Sequence, residues 1–164
     1  MSSKIPTTDA KTYNAMIGRT TLRGILMTES RFDMKPQALA ITHTNLKREV
    51  RSHVDEVVVT PEGVLHGFIR FEMSSRQKRQ RMIHVSAKYF VSYLVEGGCA
   101  QDTAELFIDR VGRLAAYPYF RALTASLVAQ AGAQIPPLPI VSFQPRNVDF
   151  AKDSGPALSP PPAD

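Results

Sequence analysis

The chain has 164 residues, 43% of them hydrophobic, and its Lys and Arg outnumber Asp and Glu to leave a formal charge of +5. That length builds one domain with a real core and not comfortably two, and no window is apolar for long enough to cross a bilayer. A single cysteine, Cys99, excludes an internal disulfide and fits a reducing compartment, the cytoplasm, while a pI near 9.6 favours acidic partners in a general way.

Residues 1–16 carry Ser, Thr, Lys and Asp with few apolar anchors, which predicts a flexible N-terminal arm. Met1 to Lys11 shows no apolar core of a signal peptide. Ile17 to Phe32 has β character, with Leu22, Ile25, Leu26 and Phe32 among Thr and Arg, and Gly18 and Gly24 can mark a bulge or bend. Met34-Lys35-Pro36-Gln37 reads as a turn, and Leu39 to Asn45 as extended or irregular chain. Val50 to Thr60 holds the run Val57-Val58-Val59, after which Pro61-Glu62-Gly63 supplies a turn. In Val64 to Met73, Leu65, Gly67, Ile69, Phe71 and Met73 share one face, and His66, Arg70 and Glu72 the other. Beyond a basic tip, Ser74 to Gln80, a period-two pattern from Ile83 through Val85, Ala87, Tyr89, Val91 and Tyr93 to Val95 marks a long strand ended by Gly97-Gly98. Short spacers between sequential strands predict an antiparallel meander with one dry face.

The period then changes. Asp102 with Glu105 resembles a capping box, and Phe107, Val111 and Leu114 follow at helical spacing. Pro118 fits the first position of a new helix, where its missing N–H costs nothing. In that helix Phe120, Leu123 and Leu127 form an apolar stripe with Tyr119 beside them. Gly132 suits the left-handed residue after its end, and Pro136, Pro137 and Pro139 forbid its resumption. Strands first and helices last give an α+β domain over residues 17–150, with the helices on one face of a four-stranded antiparallel sheet. Residues 151–164 form a Pro-rich tail with almost nothing to bury, expected to be disordered.

Catalytic machinery is not visible. There is no Gly-x-Gly-x-x-Gly, no phosphate loop and no paired-carboxylate motif at helical spacing, so the chain reads as a non-enzyme without a cofactor. His43, His53, His66 and His84 match no short metal-ligand spacing, so no metal site is expected. Cys99 reads as a small buried thiol, since nothing orients a histidine towards it. The charge is clustered: Arg76, Lys78, Arg79 and Arg81 form one group, and Lys47, Arg48 and Arg51 another. Solvated charge on a hairpin tip or edge strand blocks sheet-to-sheet aggregation. The alternative is a patch that docks an anionic partner, although no aromatic side chain interleaves it to stack on bases.

The order of four β segments, a helix with Tyr117-Pro118-Tyr119-Phe120-Arg121, the crossover Pro136-Pro137-Leu138-Pro139-Ile140 and a segment from Phe143 to Phe150 resembles the bacterial export chaperone SecB and its relatives. The resemblance covers residues 17 to 150. It implies a cytoplasmic, ATP-independent holdase that binds unfolded protein in apolar grooves bordered by the crossover, for protein export and transport or for an antitoxin in a toxin–antitoxin module. It also implies subunits paired by strand and helix contacts into a homotetramer, a dimer of dimers. On this resemblance the client surface is Tyr117, Leu138, Ile140, Phe143, Val148 and Phe150, where prolines on both sides of Leu138 avoid an ordering cost on binding. The competing reading has the same residues plugging the domain's own core. Tyr119, Phe120, Arg121, Leu123 and Leu127 are assigned to a subunit interface, and Tyr89, Val91 and Tyr93 to that interface or the core. Arg121 there bonds carboxylates or carbonyls. Two departures stand out. Export members dock the translocase motor on an acidic sheet face, whereas this chain is basic, and the second helix that follows their crossover is replaced here by the Pro-rich tail. A basic nucleic-acid-binding or adaptor protein on the same fold is the alternative function.

Overall fold

The computed structural model describes residues 10–41 and 46–140. Its elements are α1 (Ala10–Ile17), β1 (Thr20–Met34), a 3₁₀ turn (Pro36–Ala40), β2 (Lys47–Val59), β3 (Val64–Gln77), β4 (Gln80–Val95), α2 (Gln101–Phe107), a π turn (Ile108–Gly112) and α3 (Arg113–Gln130). All pairings are antiparallel and the strands lie in the order β1-β4-β3-β2. The meander expected of the strands joined by short spacers is β2, β3 and β4. β1 lies beside β4 at the opposite edge, which is a Greek-key arrangement run in reverse. Short spacers could not reveal this, because the deciding connection is the long one between β1 and β2. Its start is pinned where the Lys35 N–H bonds the Met82 carbonyl at 2.9 Å.

The two faces of the sheet follow the alternation of the sequence. Leu65, Ile69, Phe71, Val85 and Val91 are fully buried, and the helices cover this face alone. An aromatic cluster fastens α3 to it. Phe71 stacks on Phe120 with ring centres 5.3 Å apart and lies 6.0 Å from both Tyr117 and Tyr89, while Tyr93 meets Phe107 edge-on at 5.0 Å. The other face carries Glu29, Asp55, Arg70 and Lys88 around Phe68 and Phe90.

Several expectations need correction. Residues 10–16, assigned to the loose arm, form with Ile17 a helix whose Tyr13 and Met16 are buried, with Met16 1% exposed. The capping box does not form: Ala100 caps α2 without a side-chain bond, and Gln101 reaches the Val57 carbonyl and Glu105 instead. The basic tip is shorter than Ser74 to Gln80, because β3 and β4 pair as far as Gln77 and Gln80, leaving Lys78 and Arg79 as a two-residue turn. Pro118 starts no helix. It lies inside α3, where it removes one helical hydrogen bond at a cost of about 3 kcal/mol. The carbonyl it leaves belongs to Leu114, a residue 48% exposed.

The π turn explains the rest of the helical misreading. A wider turn inserts one residue, so the buried face moves on from Phe107 to Ile108, Gly112 and Ala116, and Leu114 swings outward. The helix comes very close to the sheet here. A Cβ on Gly67 would lie 2.7 Å from Ile108 Cγ2, and one on Gly112 would lie 3.3 Å from Ile69 Cδ1. Beyond α3, Gly132 adopts φ +72° as expected. Its N–H bonds Ala129 and the Ala133 N–H bonds Val128, the paired bonds of a Schellman stop.

Candidate functional site

The crossover after Gly132 is extended, and its three prolines have no N–H to give. Its carbonyls take donors from three side chains, one on β2 and two on α3. Arg48 of β2 donates to the Pro136 carbonyl at 2.6 Å, Arg121 Nε of α3 to that of Leu138 at 2.7 Å, and the Tyr117 hydroxyl to that of Pro139 at 2.8 Å. Leu138 is seated between these bonds and is only 2% exposed. Two residues later Ile140 is 86% exposed. The crossover is thus a stiff strap, fastened at its middle and open where it leaves.

Between the strap and the C-terminal half of α3 lies a cleft of about 210 Å³. Val128, Ala129 and Thr124 of α3 form one wall, Ile135 and Pro137 the other, and Met73 of β3 and Arg48 lie at its base and rim. That volume exceeds the roughly 150 Å³ of an apolar cavity that accepts a benzene ring, so one aromatic or branched aliphatic side chain fits. Thr124 is 4% exposed and its hydroxyl has no hydrogen-bond partner among the described residues. A buried polar atom without a partner is costly, and Thr124 is one of the residues that line the cleft.

The assigned client surface divides accordingly. Tyr117 and Leu138 are spent inside the chain, one as a fastener and the other as a plug, whereas Ile140 is exposed. Phe143, Val148 and Phe150 lie outside the described residues. Of the residues assigned to a subunit interface, Tyr89, Val91, Tyr93 and Phe120 are buried in the chain's own core, because its own helices cover that face. Arg121 does bond a carbonyl, but one of its own crossover. Leu123 and Leu127 are half-buried and Tyr119 is 54% exposed. Arg76, Lys78, Arg79 and Arg81 are all exposed at the hairpin end. Sequence reasoning missed Arg48, Met73, Thr124 and Val128. The first two sit on the inward face of their strands by simple alternation, and Thr124 and Val128 extend the Phe120 stripe at steps of four.

Burial pushes the phenols of Tyr89 and Tyr93 up to about 12. It also raises Tyr117, against the lowering influence of Arg121, so the fastener stays a neutral donor. Burial raises the Cys99 thiol, only partly offset by Arg19, so it is a poor nucleophile. Among the described residues no group of three His, Cys, Asp or Glu side chains is placed to hold a metal ion. No described helix is long and apolar enough to cross a membrane.

No family model matches the chain, and no curated protein matches its sequence. A solved structure does match its fold: the SecB-like chaperone Rv1957 of Mycobacterium tuberculosis in complex with a ChAD peptide from the Rv1956 HigA1 antitoxin. The TM-score is 0.65 at 16% identity, covering 79% of this chain and 96% of the other. The fold is SecB-like. At that identity the likeness is one of architecture, comprising the four-stranded antiparallel sheet and its helices.

Proposed function

We propose that the chain is an ATP-independent chaperone that holds a non-native polypeptide segment against α3 and the proline strap, without catalysis. The observation that carries this is the cleft: an apolar space large enough for a side chain, walled by a segment that prolines keep extended before anything binds. Each client side chain buried there contributes about 1.5–3 kcal/mol, enough to hold a segment when several are engaged and weak enough to let it go. Ile140 continues the apolar surface beyond the cleft, and we assign Phe143, Val148 and Phe150 to its extension. The unpartnered Thr124 hydroxyl offers a bond to a client backbone group. A dedicated client, such as an antitoxin, is favoured over general export for two reasons: the fold neighbour carries an antitoxin peptide, and the charge of +5 suits no motor that docks on acidic faces.

A cytoplasmic homotetramer belongs to the same reading. β1 is a fifteen-residue edge strand exposing Leu22, Leu26 and Met27, and such an edge invites pairing with a second copy. The test is light scattering from an unfolded client diluted into the purified protein without nucleotide. Suppression at near-stoichiometric ratios is the expected result. Normal aggregation of every client, including an antitoxin encoded beside this protein, contradicts the reading.

A further inference from the structure

The first basic cluster of the sequence gathers Lys47 of the second at one end of the sheet. Lys47 of β2 pairs with Arg76 of β3, which pairs with Arg81 of β4, and the hairpin closes through Lys78 and Arg79. Lys35 joins them through its backbone bond to Met82. All six side chains are exposed. Among the described residues none of the six has a carboxylate partner, because the ion pairs of the sheet form around Asp33, Glu49 and Asp55 instead.

Protection of a sheet edge does not account for this concentration. Arg76 and Arg81 lie on β3 and β4, the two central strands, and edge charge is needed on edge strands. What the cations do share is a neighbour. Arg48 and Met73 face the cleft, while Lys47 and Arg76, one and three residues along, project from the opposite face, and the turn at Lys78 and Arg79 closes the end of the sheet where the two faces meet. At about 3.3 Å per residue, the end of β3 at Gln77 stands roughly 13 Å from Met73, and Lys78 opens the turn just beyond it. An extended chain with one side chain in the cleft reaches the turn within about four or five residues.

We propose that the cleft and the basic end of the sheet act together on one kind of client, a polypeptide with an apolar anchor followed within a few residues by Asp or Glu. The proposal rests on the chaperone reading and adds to it the chemistry that selects the client. A polypeptide suits the pair of features better than a nucleic acid does. The cleft wants an apolar side chain, and among the described residues the basic turn Gln77–Gln80 carries no aromatic side chain on which bases could stack.

The test uses the full chain and three fluorescein-labelled synthetic peptides that share one Leu- and Tyr-containing anchor and carry Glu, Gln or Lys flanks. Fluorescence anisotropy at low salt should rank them Glu, Gln, Lys. Two or three exposed ion pairs, each worth up to a few-fold, separate the ends of that series by about tenfold. High salt should merge them. The variant Arg76→Glu/Lys78→Glu/Arg79→Glu/Arg81→Glu should invert the order and leave the Gln-flanked peptide unchanged. Should the fourfold change disturb folding, Arg79→Glu alone, in the exposed turn, serves in its place and should narrow the spread. Equal binding of all three peptides overturns the proposal and leaves the chaperone reading standing. Failure of all three to bind overturns both. A single-stranded oligonucleotide that displaces the Glu-flanked peptide and binds more tightly than it does overturns the proposal in favour of a nucleic-acid partner.

Discussion

Arg121 and Tyr117 grip adjacent carbonyls of the same strap, so the consequences of removing them should be coupled. Arg121→Ala deletes a charged donor 2.7 Å from the Leu138 carbonyl, a class of bond worth about 1.5–3 kcal/mol. Tyr117→Phe removes only the hydroxyl at 2.8 Å from Pro139 and should cost about 0.5–1.5 kcal/mol, since the ring that packs on Phe71 remains. If the strap moves as a unit, losing the Arg121 grip also loosens the Tyr117 bond. The Tyr117→Phe effect should then shrink in the Arg121→Ala background, giving a coupling of at least about 0.5 kcal/mol. Urea unfolding followed by far-ultraviolet circular dichroism measures all four corners of the cycle. In the client assay, Arg121→Ala should also suppress aggregation less well than the wild type, because the cleft loses a fixed wall. Additivity to within about 0.3 kcal/mol, or an Arg121→Ala cost below about 0.5 kcal/mol, refutes the idea that these donors fasten the strap.

Two further predictions concern the scaffold. Gly67→Ala places a methyl 2.7 Å from Ile108 Cγ2 and should destabilise by about 1–3 kcal/mol. Adding Ile108→Ala should give a double variant less impaired than the sum of the two, and a Gly67→Ala melting temperature equal to the wild type contradicts the close approach. Asp55 gives a pH test. Burial raises its carboxyl, but the hydrogen bonds and charges of Arg70 and Lys88, at 3.1 and 3.4 Å, outweigh burial and hold it below the usual carboxylate range. A depressed folded value adds stability that is complete above the unfolded carboxylate value near 4 and disappears as pH falls through the folded one. Asp55→Asn should therefore be less stable than the wild type at neutral pH, with the gap closing in acid. A gap that widens on acidification would show that the ion pairs around Asp55 are not net stabilising.

The sheet was legible because its inward face obeys a strict alternation from Leu65 to Met73 and from Ile83 to Val95, and the strap because Gly132 and three prolines leave the backbone few choices. Strand order was not legible. Nothing local in Thr20–Met34 tells it to pair with β4, and that pairing depends on a connection whose length carries no direction. The helices misled for a different reason. Pro118 obeys a rule about helix starts that tertiary packing overrode, since Tyr117 and Phe120 on either side of it are needed in one continuous helix against Phe71. The π turn had no signal apart from Gly112, whose meaning emerges only once Ile69 and Ile108 are seen beside it. For the site, the residue types were readable but their division of labour was not. Tyr117 and Leu138 carry the same aromatic or aliphatic character whether they face a client or hold the strap, and only the three carbonyl bonds separate the two roles.

The account depends on where a bound segment lies. A photoreactive benzoylphenylalanine at Ala129 in the cleft, compared with one at Ser92 on the opposite face of the sheet, reports this directly when the protein is irradiated with an unfolded client. Covalent adducts from position 129 and few from position 92 are the predicted result. Adducts from position 92 alone, or none from either while aggregation is still suppressed, would place the client elsewhere and contradict the central claim.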